Sequence, residues 1–127
     1  MRYLLDTHAF LWFLNDDPKL PPRTREVIRW AESLYISIGS FWEMAIKANK
    51  GKLVLPAPIS EMMRACDEMR IAILPIASTH LEYLQGMSAF HGDPFDRLII
   101  SQAVVEECAI LSADSAFDRY DVQILWD

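Results

Sequence analysis

The chain has 127 residues, 52% of them hydrophobic and 24% charged, and a net charge of −6. This balance excludes a disordered chain, and the length suits one domain, residues 1–127, with a core of its own. The acidic surplus argues against broad, non-specific attraction to nucleic acid, and no apolar run approaches the roughly 18 residues that a membrane span needs.

"RYLLD" (2–6) reads as a strand and "THAFLWFLN" (7–15) as a helix. Asp6 and His8 interrupt the apolar N-terminal stretch and no small-residue cleavage site follows, so no targeting segment is expected. After the loop "DDPKLPP", Pro22 opens a second helix to about Ala31, with Val27, Ile28 and Trp30 as its apolar residues. "LYIS" (34–37) is a short buried strand, and "SFWEMAIKANK" (40–50) a helix stopped by Gly51, the usual left-handed residue after a helix. Ser60 is placed to cap a helix over 61–69, and "IAILPI" (71–76) is a strand whose Pro75 pushes it toward a sheet edge. A short helix (78–85), a loop (86–92) and a helix from Pro94 to about Glu107 follow. "AILS" (109–112), "SAFDRY" (115–120) and "VQIL" (122–125) complete the chain as strand, short helix and strand. Strands alternating with helices predict an α/β fold with a mainly parallel sheet of about five strands and helices on both faces.

Such sheets bind ligands at the carboxyl ends of their strands. Asp6 ends the first strand, and Asp114 sits just past the fourth. Glu43 falls in the first turn of the 40–50 helix, and Asp96 in the first turn of the helix that Asp93 and Pro94 open. Taken singly, each acid has a capping explanation: Ser40-Phe-Trp-Glu43 is a capping box by pattern, and Asp93-Pro-Phe-Asp96 resembles one. Taken together, four carboxylates on one sheet edge repel one another, and some must take up protons unless a cation intervenes. Hard oxygen donors suit Mg²⁺ or Mn²⁺, and phosphodiester hydrolysis is the natural reaction of such a site.

The motifs "LLDTHAFLW", "SIGSFWEMAIKANKGKL", "DPFDRLIISQA" and "LSADSAFDRY", in that order, resemble PIN-domain ribonucleases, specifically VapC-type toxins of prokaryotic toxin–antitoxin pairs. The resemblance runs from residue 3 to about 126. It matches the family's acids to Asp6, Glu43, Asp96 and Asp114, with Thr7 and Ser112 as the flanking hydroxyl residues. It implies Mg²⁺- or Mn²⁺-dependent endoribonuclease activity on RNA, a homodimer, and inhibition by a cognate antitoxin protein. Under it Asp93 caps the helix, while Asp6 and Asp96 hold the metal directly or through water. Glu43 then orients or deprotonates the attacking water or acts as a ligand, and Asp114 serves a second cation or anchors water. Thr7 and Ser112 hydrogen-bond the carboxylates or the phosphate. One position departs from the pattern: Gly92 stands where similar sequences often carry a basic residue before the Asp93 position.

Other residues rank lower. His8 reads as a packed histidine, and His80 and His91 show no ligand spacing. Asp118 reads as a surface acid paired with Arg119 or Arg97. Trp12, Phe13, Phe41, Trp42 and Trp126 read as core, with one or two left for an interface. Cys66 and Cys108 are far apart and form neither a disulfide framework nor a metal spacing, which points to a reducing cytoplasm. Two other functions compete. A phosphoacceptor domain needs an acidic pair near its start and a late lysine, yet the N-terminal strand offers one aspartate and no lysine follows Lys52. A catalytically silent binding module of the same fold predicts a lost acid, and none is missing. A PIN-type nuclease without an antitoxin partner is the remaining alternative.

Overall fold

The computed structural model describes residues 1–88 and 92–127, so part of the expected 86–92 loop, including His91, lies outside the described residues. The elements run β1 (Arg2–Leu5), α1 (Thr7–Leu14), α2 (Pro22–Trp30), β2 (Ser33–Ser37), α3 (Ile38–Asn49), α4 (Ile59–Glu68), β3 (Ile71–Leu74), α5 (Ser78–Gly86), α6 (Pro94–Val105), β4 (Cys108–Leu111), a 3-10 turn (Ser115–Arg119) and β5 (Ile124–Leu125). The strands form one sheet in the order β3-β2-β1-β4-β5, and every neighbouring pair is parallel. The α/β class and parallel sheet match the sequence expectation, and β3, which Pro75 ends, lies at an edge.

Strand side chains alternate between two apolar layers. Leu5, Ile36 and Leu111 pack with Phe10, Met44, Met62 and Cys66 from α1, α3 and α4. Leu4 and Ile110 pack on the other face with Ile99, Ile100 and Ala103 of α6 and with Phe117. Burial on both faces explains why the strands read as continuous apolar runs instead of alternating ones. Each such buried aliphatic side chain contributes about 1.5–3 kcal/mol of transfer free energy.

Helix ends follow local chemistry. Helix α6 starts at Asp93, whose carboxylate accepts from the N–H groups of Phe95 and Asp96, with Pro94 at the first helical position. Helix α3 stops at Gly51 (φ +72°). Asp16, Arg70 and Glu107 occupy the same left-handed position one residue past the caps of α1, α4 and α6. Two helices start earlier than the sequence reading. Helix α3 begins at Ile38, with the Ser37 hydroxyl accepting from the Gly39 N–H, so Ser40 and Glu43 form no capping box. A Cβ on Gly39 would lie 2.5 Å from Leu98 Cδ2, so a glycine at 39 lets α3 approach α6 closely. Helix α4 begins at Ile59, after Pro58, leaving Ser60 inside its first turn. The last strand shortens to Ile124–Leu125, and the last helix is the 3-10 turn.

At the sheet edge opposite the strand carboxyl ends, Arg2 donates to the Glu106 carbonyl at 2.8 Å and to the Tyr35 hydroxyl at 3.1 Å. Glu106 in turn meets buried His80 Nε2 at 2.8 Å, and His80 Nδ1 accepts from the Ala77 N–H at 2.9 Å. His80 is thus a packed, satisfied histidine, as its lack of ligand spacing suggests.

Both cysteines are free thiols in the core, and burial pushes the Cys66 thiol up to about 11. A raised thiol means that unfolded protein ionises first, so the Cys66 contribution to stability is present below the ordinary thiol value and is lost as pH rises toward 11. At pH 8 Cys66 in the native protein should resist iodoacetamide and become alkylated once urea unfolds the chain, as mass spectrometry of the Cys66 peptide will show.

Candidate active site

The pairing register builds the site. Leu5 of β1 faces Leu111 of β4 on one side and Ile36 of β2 on the other. The next residues are Asp6, Ser112 and Ser37, so three chain segments leave the sheet side by side. The Asp6 N–H still bonds the Leu111 carbonyl at 3.1 Å, which fixes its backbone against β4. The Ser112 hydroxyl donates to Asp6 Oδ2 in a short hydrogen bond, and the Ala9 N–H donates to Oδ1 at 2.7 Å. Asp6 therefore caps α1 and faces the cleft at once.

Glu43 lies in the second turn of α3, not the first, because α3 starts at Ile38. It is 3% exposed, and both its oxygens have donors. Thr7 Oγ1 stands 2.7 Å from Oε1, and Lys47 Nζ stands 2.6 Å from Oε2. Thr7 Oγ1 also lies 3.0 Å from Ser40 Oγ; it has one proton, which goes to the charged acceptor. Asp114 begins the 3-10 turn, accepting from the Ala116 N–H at 2.9 Å, while its own N–H donates to Ser112 Oγ at 3.0 Å. Ser112 thus joins Asp6 to the backbone of Asp114.

These segments surround an open cleft of about 450 Å³ lined by Asp6, Thr7, Glu43, Asp93, Asp96 and Asp114, with His8, Trp12, Lys47 and Ala113. All four acids singled out in the sequence meet there, with Thr7 beside them and Ser112 beneath. A larger hollow of about 600 Å³ lies between α1, α2 and the end of α4, lined among others by Trp30, Met69, Glu32 and Glu68, so fewer acids meet there than in the cleft. Convergent polar groups mark the acid cleft as the candidate site.

At Asp6 burial outweighs crowding. Burial raises the Asp6 carboxyl above its ordinary range, against the lowering effects of Ser112, the Ala9 N–H and His8, and Asp114 adds a smaller raise. The Lys47 ammonium is raised first by its hydrogen bond to Glu43, against partial burial, with further contributions from Asp93 and Asp96. Among the described residues, no group of three or more His, Cys, Asp or Glu is arranged to hold a metal ion by itself. The donor set still fits a hard cation. It is all oxygen, and Mg²⁺ commonly takes one or two carboxylates and completes its shell with water.

Sequence reasoning passed over two cleft residues. Lys47 was legible as the (i, i+4) partner of Glu43 on one helix face. His8 is exposed on the rim beside Asp6, with its ring against that of Trp12 at 6.0 Å between centroids. Asp118 is exposed, lies outside the cleft lining, and among the described residues makes no ion pair with Arg97 or Arg119. Phe41 is core, whereas Trp42 is 58% exposed, its ring edge against Phe95 at 5.1 Å between centroids. Trp12, Phe13 and Trp126 are half-buried against the core.

Residues 3–123 match the PIN domain family. The chain is 27% identical over 113 residues to Ribonuclease VapC22 of Mycobacterium tuberculosis, covering 87% of this chain and 85% of that protein. Its fold is similar to that of VapBC2 from Rickettsia felis bound to a DNA fragment from their promoter, with a TM-score of 0.68 at 18% identity over the full length of both chains. It is also similar to a toxin–antitoxin complex from Klebsiella pneumoniae, with a TM-score of 0.64 at 14% identity, covering 97% of this chain and 95% of that one.

Asp93 and Asp96 should separate by experiment. Asp93→Ala removes a cap serving two N–H groups and should lower stability by about 1 kcal/mol, whereas Asp96→Asn should cost less than half of that; thermal melts followed by circular dichroism compare them. Ser112→Ala removes the strongest interaction favouring the Asp6 carboxylate, so the Asp6 titration should move to higher pH in carboxyl-carbon NMR.

Proposed function

The chain belongs to the PIN domain family, and on that premise we propose that it is an endoribonuclease toxin of the VapC type, using Mg²⁺ or Mn²⁺ to hydrolyse RNA phosphodiester bonds. The observation that carries this reading is the convergence of Asp6, Glu43, Asp96 and Asp114 on one cleft at the carboxyl edge of a parallel sheet. A bound divalent ion supplies charge neutralisation at the phosphate and a more acidic water. The residues of the chain do the rest. Asp6 and Asp96, which both line the cleft, would hold the ion. Ser112 and the Ala9 N–H fix the rotamer of Asp6 and favour its charged form. Asp93 orders the first turn of α6, so Asp96 is presented from a rigid helix start. Asp114 adds negative charge at the open side, and Thr7 ties α1 to Glu43 across the base of the cleft.

The similarity to Ribonuclease VapC22 supports RNA as substrate. The shared fold with a toxin–antitoxin complex supports a cognate antitoxin protein as partner; a homodimer is proposed as the working form on the family resemblance alone. Among the described residues, no helix is long and apolar enough to cross a membrane; a cytoplasmic location is part of the proposal.

The test is cleavage of a panel of structured RNAs by wild type and Asp96→Asn, with Mg²⁺, with Mn²⁺ and with chelator. Cutting should require the metal and fall about 100-fold or more in the variant. Equal cutting by wild type and variant would refute the site assignment. Metal-independent cutting would refute the mechanism.

A further inference from the structure

We propose that Lys47 is the resident counter-ion of the acid cleft, and that it keeps Glu43 out of the divalent-ion coordination shell in the metal-free and metal-loaded protein alike. The inference rests on the metal reading of the cleft given above and assigns the carboxylates within it: Asp6 and Asp96 serve the ion, Glu43 serves the ammonium.

Among the described residues, five carboxylates line the cleft, those of Asp6, Glu43, Asp93, Asp96 and Asp114, and Lys47 carries the one permanent positive charge in that lining. Glu43 is the most deeply buried of the acids, and both its oxygens have donors. Its Oε1 is held by Thr7 at 2.7 Å and its Oε2 by Lys47 at 2.6 Å. Donor and acceptor sit one turn apart on α3 with the glutamate first, the favourable order for such a pair. A buried carboxylate with a charged donor on one oxygen and a hydroxyl on the other is already neutralised. An ion that displaced Lys47 would push an ammonium group toward solvent and gain little net charge compensation. Asp6 differs: its partners are a hydroxyl and an N–H, neither of which cancels its charge. Lys47 is therefore a positioning residue. It holds Glu43, and through Glu43 it holds Thr7 and the start of α1 beside Asp6.

Removing the charge of Lys47 frees a third carboxylate for the ion. Metal affinity rises with the number of charged ligands, so Lys47→Met should bind Mn²⁺ more tightly, by about fivefold or more. The same variant should melt at a lower temperature without metal and gain more on adding Mn²⁺ than wild type does. Lys47→Arg, which keeps the cation, should stay near wild type in both. The double variant Glu43→Gln with Lys47→Met removes both charges and should bind Mn²⁺ within about threefold of wild type.

Calorimetric titration of chelator-stripped protein with Mn²⁺, beside melts with and without Mn²⁺, reads all four proteins. Unchanged or weaker binding by Lys47→Met would overturn the inference. So would a loss of tenfold or more in the double variant, the result expected if Glu43 is a ligand, and this variant decides the matter even if Lys47→Met fails to fold. No binding by wild type would instead remove the metal reading of the cleft, and the inference with it.

Discussion

Parallel pairing of β1 with β4 sets Asp6 beside Ser112, residues 106 positions apart in the chain. Everything in the cleft is referred to that contact. Because Leu5 stands opposite Leu111, the two chains leave the sheet at the same level, one turning into α1 and the other toward the 3-10 turn. Ser112 then does two things with one hydroxyl: it donates to Asp6 and accepts from the N–H of Asp114. A one-residue slip of β4 would send the Ser112 side chain to the other face and Ile110 and Leu111 into the wrong layers. The apolar alternation of the sheet and the geometry of the acids are thus the same constraint seen from two sides.

The second wall is built by burial of polar groups that satisfy one another. Thr7, Ser40 and Glu43 are all nearly inaccessible. Left alone, each would carry a desolvation cost of roughly 1–3 kcal/mol. Together they join α1 to α3, and Gly39 lets α3 come close enough to α6 for Glu43 and Asp96 to share a cleft. Asp6, Asp93, Asp96 and Asp114 sit where helices or the 3-10 turn start, which is also where acids are least costly, whereas Glu43 lies a turn further along α3. At Asp6 a helix cap and a place in the cleft lining coincide in one carboxylate.

Much of this was legible in the sequence. The alternation of apolar runs with helical periodicity gave the parallel α/β class, and Asp93-Pro94 marked the start of α6 correctly. The acids could be grouped because strand ends of a parallel sheet share an edge. What could not be read were choices between equivalent local signals. Ser37 and Ser40 both suit a helix cap; the sheet register selects Ser37, and Ser40 is buried against Thr7 instead. Ser60 looked like a cap, but Pro58 ended the extended segment first. Trp42 carries no periodic signal that separates core from surface, and its exposure follows from the rotation of α3 that buries Phe41 and Glu43. Lys47 was visible as a spacing, yet its place in the cleft needed the approach of α6.

The stops of the helices bear on how far this chain can be altered. Helices α3, α4 and α6 end in the same way, with a left-handed residue after the cap, but only α3 has a glycine there. Arg70 and Glu107 hold that conformation against the steric penalty of a Cβ, and both are exposed and outside the cleft lining. A non-glycine residue in that region costs roughly 1–2 kcal/mol relative to glycine, less the entropy that glycine adds to the unfolded chain. The molecule therefore carries an untouched reserve of thermal margin at two surface points, from which the losses of an inactivated cleft can be made good without altering a single residue that lines it.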